Sequence, residues 1–131
     1  MLEGKKAYIC SPLSAPTADR VRHNMGMARF YLERMHDIYH CRTFASHAYL
    51  PAMLDDRIPE EREAALRIGM ELLKLCDALI ICGRHVSAGM KGEIKKAFQD
   101  GLEVYWYDSM MKPFELMRVT SWRDINDEVQ V

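Results

Sequence analysis

Several signals are missing from this chain of 131 residues, and each absence removes a class of function. Charge of one sign is missing: 18 Lys and Arg face 19 Asp and Glu, for a net charge of −1, so nothing draws the chain toward nucleic acid in general. No apolar run approaches the roughly 20 residues that span a bilayer, so no membrane partner is expected. The opening "MLEGKKAYIC" lacks the apolar stretch and small-residue cleavage site of a signal peptide. Cys10, Cys41, Cys76 and Cys82 show no C-x-x-C spacing, and three of them lie in or beside apolar segments. That reads as a reduced, cytoplasmic protein without structural zinc. There is no H-E-x-x-H or other metal spacing, and His23, His36, His40 and His85 do not cluster with His47. A metal centre is therefore not expected. With neither G-x-G-x-x-G nor G-x-x-x-x-G-K-[ST], a dinucleotide cofactor or P-loop has no fingerprint, and no cofactor is expected. Repeats, linkers and low-complexity stretches are absent too, so residues 1–131 read as one domain, long enough for a core.

What is present alternates. "KKAYICS" (5–11) is a first strand, ended by Ser11-Pro12. Thr17 can cap a helix over 18–37, whose stripe is Val21, Met25, Ala28, Leu32 and Met35. "YHCRTFASHAYLP" holds a second strand and then a loop. Pro59 suits a first helical position, Glu60, Glu61 and Glu63 favour a helix start, and Ala65, Ile68, Leu72 and Leu75 give a second buried stripe. "DALIICG" (77–83) is apolar enough for a strand covered on both faces. A loop, "RHVSAG", leads to a helix from Met90 to Asp100, ended by Gly101, and "LEVYWY" (102–107) is a fourth strand. The tail is weakly patterned, with "SWRDIND" read as a last turn or short helix. Strands alternating with helices predict an α/β domain with a parallel sheet of four or five strands and helices on both faces. Ligands of such sheets sit beyond the carboxyl ends of the strands. That rule selects "SPLSA", "SHAYLP", "RHVSAG" and "YDSM".

Candidate chemistry centres on Glu93. On a helical wheel Ile94, Ala97 and Phe98 share the face of Met90, and Glu93 lies on its border. From there its side chain can reach the loops at the sheet edge. The helix N-terminus favours its ionised form by about 0.3–1 kcal/mol, which suits a nucleophile; simple dipole pairing at the surface is the plainer role. Gly89 permits close backbone approach. Ser87 and the amides beside it suit an anion, or Ser87 is only a helix cap. Tyr8, inside the first strand, needs a hydroxyl partner if buried. Asp77 opens the third strand, which simple topology places at the amino end, away from the expected site. Cys10 has no obvious base beside it in sequence.

Together "AYICSPLSA", "SHAYLPAMLDD", "CDALIICG" and "SAGMKGEIKKAF", in this order over roughly residues 5–106, resemble the nucleoside 2-deoxyribosyltransferase-like family, and more narrowly a branch of small bacterial and phage proteins within it. The resemblance implies a flavodoxin-like (Rossmann-like) three-layer sandwich. It implies cleavage or transfer at the N-glycosidic bond of a deoxynucleoside or its 5′-monophosphate, with Glu93 as nucleophile, Tyr8 orienting it, and Asp77 as a third catalytic residue. Ser11, Ser87, Gly89, Met90 and His47 are then expected around the substrate. Ser87 stands where the family's nucleotide hydrolases use a serine to bind the 5′-phosphate. The first loop is not glycine-rich, and "IKKAF" replaces the usual Gly-Tyr-Ala after the glutamate. Asp77, His47 and Asp55 remain as candidates for protonating the leaving base. The family also implies a homodimer or higher homo-oligomer, for which the methionine-rich "SMMKPFELM" is a possible surface. The alternatives are a non-catalytic nucleotide-binding or sensing module on the same fold, and an accessory protein that acts by protein contact.

Overall fold

The computed structural model of the chain describes residues 2–13, 15–107 and 116–121. Among these residues five strands form one sheet: β1 (Lys6–Cys10), β2 (Arg42–Phe44), β3 (Ala78–Cys82), β4 (Glu103–Tyr107) and β5 (Met117–Val119). Their spatial order is β2-β1-β3-β4-β5. The first four run parallel, with Tyr8 beside both Phe44 and Leu79 and Ile80 beside Tyr105. β5 returns antiparallel on β4, Val119 opposite Val104. The expected parallel sheet is therefore present with one antiparallel edge strand. That strand spans three residues, of which only Val119 is buried, too little for alternation to mark it. Of "SWRDIND" all but Ser121 lies outside the described residues, as do residues 108–110 of "YDSM" and 109–115 of "SMMKPFELM".

Period-two alternation sends side chains to two cores. Ala7, Ile9, Ala78, Ile80, Tyr105 and Tyr107 pack with Tyr31 and Met35 of α1 (Ala18–Tyr39). Tyr8, Cys10, Leu79, Ile81 and Val104 pack on the other face with Leu73 of α3 (Pro59–Lys74) and with Met90, Ile94 and Ala97 of α4 (Ala88–Gln99). The result is a three-layer sandwich with the doubly wound order 2-1-3-4-5, whose direction switches between β1 and β3.

Two local expectations need correction. The segment after β2 is helical rather than a loop: α2 (Ser46–Tyr49) runs into one 3-10 turn over Leu50–Ala52. Ile68 on α3 and Leu75 at its C-cap are exposed, and the face turned inward carries Gly69 and Leu73. A count of apolar side chains passes over a glycine, so the stripe was read about one residue out of phase.

Candidate active site

Four elements meet at the carboxyl edge beside the switch point. β1 supplies Tyr8 and Cys10, on the face that receives α3 and α4. α2 follows β2 and carries Ser46 and His47. α4 follows β3 and opens on Ser87, whose Oγ accepts the Met90 N–H at 3.3 Å. Glu93 lies one and a half turns further along α4, and α3 brings Gly69.

Glu93 is buried, only 8% exposed. Its Oε2 accepts a hydrogen bond from the Tyr8 hydroxyl, and the Cys10 thiol lies 3.6 Å from Oε1. Tyr8 Oη is also 2.9 Å from Ser46 Oγ. A methyl group built on Gly69 would stand 3.5 Å from Ser46 Oγ, 3.6 Å from Tyr8 Oη and 3.9 Å from Glu93 Oε2, so α3 packs at ordinary contact distance over all three. His47 Nδ1 lies 3.0 Å from the Ser11 carbonyl. A carbonyl only accepts, so Nδ1 carries the proton.

Burial pushes the Glu93 carboxyl above its usual range, opposed by nearby His47 and by the Tyr8 and Cys10 hydrogen bonds. This corrects the expectation drawn from the helix dipole: desolvation outweighs it for a carboxyl this deep. Tyr8 and Cys10 are both pushed upward, first by burial and then by the Glu93 charge. Tyr8 therefore stays a phenol and Cys10 a thiol, a poor nucleophile.

A cavity of about 300 Å³ opens over this group, lined by Ser46, His47, Gly69, Ser87, Gly89 and Glu93, with Asp56 and Arg62 among its polar residues and Leu13, Leu50, Leu54 and Leu66 among its apolar ones. A second cavity of about 520 Å³ shares Leu13, Pro51, Leu54 and Asp56 with it. The volume of the first is at the lower end for small-molecule sites.

The structure places the expected residues unequally. Glu93, His47, Ser87 and Gly89 line the cavity, and Tyr8 lies beneath it through its bond to Glu93. Ser11 is fully buried behind His47; its Oγ finds no hydrogen-bond partner among the described residues, and it does not line the cavity. Met90 is not a wall residue: it faces the sheet, fully buried in the core with Cys10 and Ile94. Asp77 is also elsewhere. It precedes β3 at the amino end of the sheet, is exposed, and accepts the Lys6 N–H at 3.0 Å, so it cannot meet a ligand at the carboxyl edge. Asp55 is held by Arg57 at 2.9 Å and lines the second cavity only. Ser46, Gly69, Asp56 and Arg62 were missed. Their sequence signals were that Ser46 lies in "SHAYLP", a selected segment, and that Asp56 ends "SHAYLPAMLDD".

This is the fold of the deoxyribosyltransferases. The structure is similar to the 2-deoxyribosyltransferase of the psychrotolerant bacterium Bacillus psychrosaccharolyticus, with a TM-score of 0.63 at 14% identity, over 95% of this chain and 82% of that one. It is also similar to a conserved protein of Enterococcus faecalis V583, with a TM-score of 0.56 at 16% identity, over 97% and 77% of the two chains. By sequence the chain belongs to the family described as Domain of unknown function (DUF7768), matched over residues 5–107. No curated protein matches it. No helix among the described residues is long and apolar enough to cross a membrane, and no cluster of three metal-capable side chains occurs among them.

Proposed function

We propose that residues 1–131 form a nucleoside 2-deoxyribosyltransferase-like domain that cleaves or transfers at the N-glycosidic bond of a deoxynucleoside or its 5′-monophosphate, through Glu93. The observation that carries this reading is a buried carboxylate on the cavity floor, held by a buried tyrosine hydroxyl. The similarity to the 2-deoxyribosyltransferase of Bacillus psychrosaccharolyticus supports it. In this mechanism a Glu93 oxygen attacks the anomeric carbon as the carbon–nitrogen bond breaks, through an oxocarbenium-like state. The bonding pair leaves with the base, which takes the Nε2 proton of a His47 imidazolium, while Nδ1 keeps its proton on the Ser11 carbonyl. Of the three acids considered, His47 is the one that lines the cavity. The sugar is left as an ester of Glu93, and water or a second base displaces it. Ser87 and the first amides of α4 bind the 5′-phosphate, with Arg62 the cation on the same cavity. The same reading has the protein acting in the cytoplasm as a homodimer or larger; Leu66 on α3 and Leu75 at its C-cap, each 57% exposed, support that assembly.

The test is to incubate the protein with nucleosides and 5′-monophosphates and measure released base. Glu93→Ala should abolish release, by a factor of roughly a thousand or more, while ligand binding survives, because a nucleophile acts mainly in the transition state. Undiminished release by this variant ends the assignment. One observation favours the second reading, a non-catalytic nucleotide-binding module: burial raises the Glu93 pKa and so favours the protonated, unreactive carboxyl. Ligand binding without turnover from pH 6 to 9 would decide for that module.

A further inference from the structure

Counting protons gives the hydrogen bonds under Glu93 a direction. Tyr8 has a single hydroxyl proton. An ionised carboxylate only accepts, so that proton goes to Glu93 Oε2. Ser46 Oγ, 2.9 Å from Tyr8 Oη, must then donate to it. The chain Ser46 to Tyr8 to Glu93 is polarised along its length, which strengthens the last bond. Ser46 is 5% exposed, and Gly69 packs over both hydroxyls, so that a methyl on it would stand 3.5 and 3.6 Å from them.

We infer that Ser46 is a positioning residue: its hydroxyl commits the Tyr8 proton to Glu93, so that the carboxylate meets its substrate ionised and in one orientation. This rests on the reading of Glu93 as a nucleophile. The groups that face Glu93 are Tyr8 and Cys10 from β1 and His47 from α2; Asp56, ahead of α3, and Arg62, on α3, share its cavity. The Tyr8 bond opposes the effect of burial on Glu93, so weakening it moves the carboxyl's titration to higher pH.

The experiment compares Ser46→Ala, Ser46→Cys and Ser46→Thr in the full chain. Two quantities are read: kcat and KM for base release against pH, and the titration of the Glu93 carboxyl by carbon-13 NMR without substrate. Ser46→Ala should lower kcat about threefold to tenfold, as for one neutral hydrogen bond, with KM within about twofold. The acid limb of the rate profile and the Glu93 titration should both move up in pH. Ser46→Thr, which keeps the hydroxyl, should restore both. In a Tyr8→Phe background Ser46→Ala should no longer move the titration, because its effect passes through the phenol. An unmoved titration in Ser46→Ala overturns the inference, as does an equal shift without the Tyr8 hydroxyl. If Ser46→Ala does not fold, Ser46→Cys, close in shape and a weak donor, carries the same comparison. Absence of base release from the unaltered protein defeats the functional reading alone, because the titration needs no substrate.

Discussion

Replacing Gly69 by alanine should raise stability and lower activity. A glycine in a helix interior costs about 1 kcal/mol relative to alanine. Gly69 lies inside α3, and its new methyl would meet Ser46 Oγ, Tyr8 Oη and Glu93 Oε2 at 3.5, 3.6 and 3.9 Å, ordinary contact distances. No atom has to move, so most of the helical gain should survive, partly offset by a methyl set against polar oxygens. A net gain of about 0.5–1 kcal/mol is expected. For a chain of this length that is a rise in Tm of about 2–5 °C. Gly69 and Glu93 both line the cavity, and the same methyl would stand 3.9 Å from Oε2. Pushing a substrate away by about 1 Å costs on the order of a hundredfold in rate. Gly26→Ala is the control: Gly26 is inside α1, a methyl there meets nothing within 4 Å, and it should add similar stability with activity untouched. The assays are thermal unfolding and base release for both variants. A fall in Tm for Gly69→Ala would refute the packing argument. A rise in Tm with undiminished release would show that the space beside Oε2 is not where substrate sits.

Glu93→Gln should stabilise the protein at neutral pH. The folded-state pKa of Glu93 is raised by burial, so its contribution is full below the ordinary carboxylate pKa and is lost as pH rises through the higher folded value. The Tm advantage of the variant should therefore grow across that window and then level off; an advantage constant with pH would refute this. The base-release rate should fall on the acid side through the same raised pKa, as a pH–rate profile would show, because attack needs the ionised form. Ser87→Ala should weaken 5′-monophosphates about tenfold to a hundredfold and spare nucleosides, measured by calorimetry; equal weakening of both would reduce Ser87 to the cap of α4. Leu73→Ala should cost about 2–5 kcal/mol in urea unfolding, since Leu73 is 1% exposed between α3 and the sheet.

The alternation of "KKAYICS", "DALIICG" and "LEVYWY" with two amphipathic stretches was enough to define an α/β sheet covered on both faces, because apolar periodicity is a property of the chain itself. The same periodicity grouped Met90, Ile94, Ala97 and Phe98 on one helix face, although Met90 was expected beside the substrate and only the fold turned it to the sheet, and the strand-end rule selected the segments holding Ser46, His47, Ser87 and Gly89. Glu93 was legible as a carboxylate near a helix start. What it touches was not. The Tyr8 hydroxyl reaches it across 85 residues of sequence, and Ser46 reaches Tyr8 across 38. Gly69 has no side chain to leave a pattern, so only the docking of α3 reveals that it packs over Ser46, Tyr8 and Glu93. Asp77 shows the converse: its type and order suited a catalytic role, but the direction of β3 puts it at the amino end. The sign of the Glu93 shift was likewise decided by tertiary structure, because a helix dipole is local whereas desolvation depends on every element that packs around the carboxyl.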